Sequence, residues 1–315
     1  MTETEWINYL RKFLFQREQV LATHNEDCAV IKYDDHYLLL TTDALVDKVH
    51  FRLEYTDYYS LGCKLASTNL SDIAAMGGEP RWALFSLGSP QPLEPSWLDP
   101  LMEGLVTTLE NFGARLVGGD TVRSELLFLN LTLIGETDKP LLRKGAKPGD
   151  YIFVSKELGK SSAFLRYIKE FPMEEIPTPV IEAHLRPTPE IKLGKAIRYI
   201  ANSAIDISDG LLLDLYRLCW ASGVSAELDI SCIPISPYAT LEEALSGGED
   251  YALLFTIPEE RIEELYNISS NLNLNFYYIG KITKNNHKIF LIKDKGERVE
   301  LSPQGFDHFI SLPQP

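Results

Sequence analysis

The sequence predicts an α/β protein with mixed sheets, α+β in character, divided into two domains. Three observations predict it. Short β-branched and aromatic runs alternate with longer helical patterns along all 315 residues. A hydrophobic content of 45% is enough to bury a sizeable core. Between Thr137 and Asp150 the pattern breaks, with two prolines, two glycines and the basic residues Lys139, Arg143, Lys144 and Lys147. That composition fits a linker or a phosphate-contacting loop, so the domains are expected at 1–137 and 138–315.

The elements follow in order. Trp6–Phe15 has amphipathic helical spacing, and Tyr37–Thr42 is a β-rich run ending at Asp43. Tyr58–Met76 carries the small and apolar residues Leu61, Leu65, Ala66, Ile73 and Ala74 and is closed by Gly77-Gly78 and Pro80, which makes it a helix. Arg81–Gly88 reads as a strand and Trp97–Phe112 as a helix. Arg115–Val117 then leads into a Gly118-Gly119-Asp120 turn, and Leu126–Gly135 is a further strand. Beyond the break come the strand Tyr151–Ser155, the Pro-rich loop Phe171–Pro179, the helix Glu190–Ala201, the strand Ala204–Ile207 and the helix Leu211–Ala221. The turn Gly247-Gly248-Glu249-Asp250 precedes the strand Tyr251–Ile257. Gly159-Lys160-Ser161 looks like the end of a phosphate-binding loop, but Val154 stands where that motif needs glycine. It is expected to be a turn opening a helix. No GxGxxG is present, so any ATP is held outside both common Gly-rich cradles.

A formal net charge of −15 argues against nucleic acid as a partner, since phosphate backbones need basic patches. No apolar stretch is long enough to span a bilayer, and Met1–Glu5 is polar and acidic, unlike a signal peptide. Cys28, Cys63, Cys219 and Cys232 are far apart, fitting neither a zinc site nor a disulfide framework. The expectation is a cytoplasmic protein with no membrane contact.

Six aspartates carry the chemistry: Asp27, Asp43, Asp72, Asp120, Asp206 and Asp209. Oxygen ligands with almost no His or Cys among them suit hard cations such as Mg²⁺, which bridge phosphates. Each also has a structural reading. Asp209 is placed to cap the following helix, Asp43 to end a strand in an Asx-turn, Asp72 to face solvent, and Asp120 to sit in an ordinary turn. His50, between Val49 and Phe51, reads more readily as a packed core histidine than as a ligand.

The motifs around these residues resemble the thiamine-monophosphate kinase family, which shares the aminoimidazole ribonucleotide synthetase-like fold. The resemblance runs from about Asp27 to Phe309. It is carried by Thr41-Thr42-Asp43, Asn69–Gly77 (NLSDIAAMG), Gly118–Thr121 (GGDT), Gly145–Asp150 (GAKPGD), His184–Pro187 (HLRP), Asp206–Leu211 (DISDGL), Ser246–Tyr251 (SGGEDY) and Gly305–Phe309 (GFDHF). It implies ATP as co-substrate and several Mg²⁺ ions, with Asp27, Thr41, Thr42, Asp43, Asp72, Asp120, Asp206 and Asp209 as metal ligands. Gly119, Asp120, Arg143 and Ser208 would contact ATP. His50, Glu249 and Phe306 would face thiamine monophosphate, Phe306 by stacking on its rings. Asp43, Asp72, Asp120 and Arg143 would carry catalysis, and a homodimer is expected. The implied activity is direct in-line phosphorylation of thiamine monophosphate to thiamine diphosphate. Against the family pattern, Glu26 stands where Asp is usual, Lys144 where a small residue is usual, Phe306 where Tyr or Trp is common, and Ala252 where Glu is common. Other ATP-dependent enzymes of the superfamily, among them selenophosphate synthetase and the hydrogenase-maturation type, and a catalytically silent cation-binding scaffold are the alternatives.

Overall fold

The protein is described here from a computed structural model covering residues 3–10, 13, 19–22, 26–284, 287–293 and 296–306. Asn25, much of the predicted opening helix beyond Leu10, and Asp307, His308 and Phe309 of the closing motif lie outside the described residues. The first half runs α1 (Glu3–Leu10), β1 (Val20–Ala22), β2 (Ala29–Tyr33), β3 (His36–Val46), α2 (Tyr58–Ala75), β4 (Glu79–Ser89), α3 (Pro95–Asn111), β5 (Arg115–Arg123) and β6 (Phe128–Thr137). The second runs β7 (Tyr151–Val154), α4 (Lys160–Glu170), α5 (Thr178–Leu185), α6 (Ile191–Ile197), β8 (Ser203–Ile207), α7 (Leu211–Ser222) and β9 (Ser225–Asp229). It continues with α8 (Leu241–Ser246), β10 (Ala252–Ile257), α9 (Ile262–Leu272), β11 (Tyr277–Thr283), β12 (Ile289–Ile292) and β13 (Arg298–Leu301). Among the described residues the strands form two mixed sheets, ordered β1-β2-β3-β6-β4-β5 and β13-β12-β9-β11-β7-β10-β8. The expected mixed α/β class holds.

Helix α2 positions the site. It starts where Asp57 Oδ1 accepts the Ser60 amide at 2.8 Å and ends where Gly77 turns left-handed at φ 67°. Its small residues let both sheets approach, so it packs against β3 and β6 on one side and β8 and β10 on the other. Leu61, Leu65, Leu70 and Ile73 are fully buried in this layer, each contributing roughly 1.5–3 kcal/mol. A polar side chain on α2 therefore meets either another polar group or an internal cavity.

Two strands differ from expectation. β3 continues through Asp43 to Val46, because β6 pairs with it along its whole length. Alternation then turns Thr41 and Asp43 toward α2 and Thr42 to the opposite face, where its hydroxyl meets Asn130 and Thr132. Gly118-Gly119-Asp120 is not a turn but lies inside β5, which pairs in parallel with β4 across a bulge at Ala83/Leu84. A Cβ on Gly119 would lie 1.7 Å from the Phe85 carbonyl oxygen, so the glycine permits backbone approach rather than reversal.

Candidate active site

A cavity of about 340 Å³ opens between α2 and the second sheet. It is lined by Asp43, His50, Asp72, Asp206, Ser208, Asp209, Glu249 and Phe306, all singled out from sequence. The pairing of β8 with β10 puts DISDG beside SGGEDY. The amides of Glu249 and Tyr251 donate to the carbonyls of Ser208 and Ile207 at 2.7 and 2.8 Å. A larger polar cleft of about 730 Å³, containing Lys156, Lys160 and Asp250, holds none of the predicted site residues. Asp250 accepts the Gly159 amide at 2.7 Å, so the start of α4 is occupied by the protein's own carboxylate and Gly159-Lys160-Ser161 is no phosphate cradle.

At one end of the cavity the acids converge. Single carboxylate oxygens of Asp27, Asp72 and Asp206 lie within 4.8 Å of one another. Thr41 donates its hydroxyl to Asp72, and Ser71 donates to Asp206 at 2.6 Å. Burial, then repulsion from Asp43, Asp206 and Asp27, pushes the Asp72 carboxyl well above the ordinary range. Burial and Asp27 do the same to Asp206. Asp43, whose amide donates to Asn69 at 3.2 Å, is pushed up to about 6, chiefly by burial, with Asp209 and Asp27 adding repulsion. Arg143 pairs with one oxygen of Asp27, while the buried Oδ2 of Asp27 has no hydrogen-bond partner among the described residues. An all-oxygen donor set with an orphaned, buried carboxylate oxygen fits a hard divalent cation.

Asp209 lies on the same cavity but is paired with Arg217 at 2.5 Å. It does not cap α7. The buried Asp214 accepts the amides of Asp209 and Gly210 at 3.0 and 3.2 Å, because Gly210 at φ 120° turns these N–H groups back toward the first helical turn. Glu26 accepts the Arg143 amide at 2.7 Å, and burial raises it to about 7. It anchors the basic loop.

At the other end, His50 Nδ1 accepts the Val46 amide at 3.1 Å, which leaves the ring proton on Nε2. Phe306 is held by its amide to the Asp209 carbonyl at 3.1 Å. Glu249 sits at φ 64°, with Lys64 Nζ 2.8 Å from Oε1 and His184 Nδ1 3.3 Å from Oε2.

Thr42, Gly119 and Asp120 do not join this cavity. The register Asp120–Ser86–Asn130–Ala44 puts Asp120 three strands from β3, about 14 Å away, on the face that carries Thr42.

Family models for the AIR synthase related protein match this chain, the N-terminal domain over residues 25–137 and the C-terminal domain over 147–293. The thiamine-monophosphate kinase of Escherichia coli (strain K12) is 37% identical over 299 residues, covering 91% of each chain. That of Haemophilus influenzae is 37% identical over 317 residues, covering 96% of this chain and 95% of its own. The chain belongs to the thiamine-monophosphate kinase family. A solved structure described as AaThiL complexed with AMPPCP and TMP shares 36% identity, covers 98% of this chain and 97% of its own, and gives a TM-score of 0.86. The two-domain fold expected from the motifs is thus the fold of this thiamine-monophosphate kinase family member.

Sequence reasoning missed Lys64, Asp214 and Arg217, and it gave His184 no role. One signal was present for Lys64. It and Asp72 are the two charged residues of α2, and at i and i+8 they share a helical stripe with Thr68.

Proposed function

We infer that this kinase transfers the γ-phosphoryl group of ATP to the phosphate of thiamine monophosphate, giving thiamine diphosphate and ADP. The observation that carries the reading is one cavity with an acid cluster only partly offset by Arg143 at one end and an aromatic, a histidine and a paired carboxylate at the other. AMPPCP, an ATP analogue, and TMP, the two ligands named for the AaThiL structure, match those two ends in chemistry.

An acceptor phosphate oxygen forms the new bond to Pγ. The bond from Pγ to the β–γ bridging oxygen breaks, and its electron pair leaves with ADP. The acceptor is already an anion at neutral pH, so no general base is required. Asp27, Asp72 and Asp206 would hold Mg²⁺, with Asp43 beside them and Thr41 and Ser71 orienting the carboxylates. When bound, Mg²⁺ supplies neutralisation of phosphate charge. Arg143, then released from Asp27, is within the same site to meet phosphate oxygens. Ser208 and Asp209 border the nucleotide end. Glu249, His50 and Phe306 orient the acceptor, whose cationic thiazolium is matched by an aromatic face and a carboxylate.

Two copies of the chain complete this reading. The first sheet exposes Trp82 (44%), Leu84 (43%) and Val122 (55%) beside Thr42 and Asp120. Apolar groups exposed together mark an interface, and a second copy covering this face would enclose Thr42, Gly119 and Asp120 as part of the nucleotide site. ATP as co-substrate implies a cytoplasmic enzyme.

Incubating the protein with ATP, Mg²⁺ and thiamine monophosphate tests the activity. Thiamine diphosphate and ADP are expected in equal amounts, and ADP with free phosphate alone would overturn it. Sedimentation is expected to give a dimer that Leu84→Asp splits.

A further inference from the structure

We propose that Lys64 is the positioning residue for Glu249, a strut that sets the acceptor-facing carboxylate from the same helix that carries the metal-facing Asp72. The proposal rests on the reading of Glu249 as an acceptor contact.

Lys64 is 0% exposed, on a helix whose neighbouring side chains are apolar or small. Its Nζ reaches Glu249 Oε1 at 2.8 Å, a buried ion pair. A buried ion pair is a poor source of stability compared with apolar side chains of similar size. It is therefore better explained by what it holds in place. Glu249 needs holding. It is a non-glycine residue at φ 64°, Tyr251 follows at φ 46°, and such backbone persists only where the surroundings over-determine it.

The surroundings do so from several sides. The Glu249 amide is fixed to Ser208, and Gly248 lies so close that a Cβ there would be 2.7 Å from the Ser208 carbonyl. Lys156 Nζ donates to the Tyr251 carbonyl at 3.0 Å. His184 is stacked on Phe164, 4.6 Å between centroids and 15° between planes, and touches Ser161 Oγ at 2.9 Å and Glu249 Oε2 at 3.3 Å. Of these groups, Lys64 alone comes from the first half of the chain. Lys64, Thr68 and Asp72 are spaced i, i+4, i+8, so at 1.5 Å per residue about 12 Å of rigid helix separates the two ends. Thr68 and Asp72 line the cavity between them. The helix is thus a ruler that fixes the acceptor carboxylate relative to the acid cluster.

A double-mutant cycle in the full-length enzyme tests this. Lys64→Met, Glu249→Gln and the double variant are compared in KM for thiamine monophosphate, KM for ATP and kcat. Each single variant is expected to raise the thiamine monophosphate KM at least tenfold while the ATP KM stays within twofold. The double variant is expected to be no worse than Glu249→Gln alone. Additive losses, or equal effects on both KM values, would show Lys64 to be merely structural and overturn the proposal. If Lys64→Met does not fold, Lys64→Met with Glu249→Leu removes the lone buried charge. That variant must then match Glu249→Leu in KM, and a further loss overturns the proposal equally. A wild type that makes no thiamine diphosphate refutes the functional reading itself. An active wild type whose thiamine monophosphate KM is unmoved by Glu249→Gln refutes only the strut.

Discussion

The two ends of the cavity handle buried carboxylates in opposite ways. At the acid end, Asp27, Asp72 and Asp206 face one another with Arg143 on a single oxygen, and burial with mutual repulsion drives Asp72 and Asp206 upward. At the other end burial would raise Glu249 too, but Lys64 and His184 override it and hold the carboxyl below its ordinary range. Burial is common to both, so compensation makes the difference. On the proposed function, the acid end, where Arg143 offsets only Asp27, suits cations that arrive with a polyphosphate, whereas the carboxylate at the other end is already paired.

The comparison breaks most sharply at Asp72. Asp72→Asn should lower kcat by roughly 100-fold or more, since even groups behind metal ligands cost 10–100-fold when changed. Steady-state rates at limiting Mg²⁺ check this, and near-normal turnover would remove Asp72 from the metal site.

Arg143→Met leaves Asp27, 1% exposed, without its counter-ion. The metal-free protein should lose about 3–5 kcal/mol at pH 8 in denaturant unfolding, and Mg²⁺ should restore much of it.

The two ends should also titrate oppositely. Asp43 has a folded value of about 6 against 3.8 unfolded, so its contribution is full below pH 4 and is lost as pH rises through about 6. His184, held near 3 by burial first and Lys64 second, acts at the other limb, destabilising as pH falls below 6.5. Melting curves without metal should therefore show Asp72→Asn raising Tm at pH 8, with the gain shrinking toward pH 5. A gain independent of pH would mean that the acids do not repel.

The smallest effect concerns Ser71. Ser71→Ala removes the donor to Asp206 and should weaken Mg²⁺ binding about tenfold while leaving the thiamine monophosphate KM unchanged, as titration calorimetry and kinetics can check.

Much of this was legible in the sequence because motif and geometry coincide. NLSDIAAMG is legible as the small-residue end of a helix and DISDGL and SGGEDY as two turns, and the structure adds the two sheets around the helix and the β8–β10 pairing that sets the turns side by side. Other features were hidden for physical reasons. A Gly-Gly-Asp run looks like a turn unless it is known that β5 must pass close to the Phe85 carbonyl. Asp209 looked like a cap because nothing local reveals that Asp214 captures those amides. The pairing of Lys64 was not legible at all, since its counter-ion lies 185 residues away (249 minus 64) on the other half of the chain.

The most direct test follows ³¹P NMR of ATP with thiamine monophosphate for the wild type and Asp72→Asn, with Mg²⁺ and with the metal chelated. The wild type with Mg²⁺ should give thiamine diphosphate and ADP in equal amounts, and the variant or the chelated sample almost none. Equal product from the wild type with and without metal, or from the variant and the wild type, would contradict this.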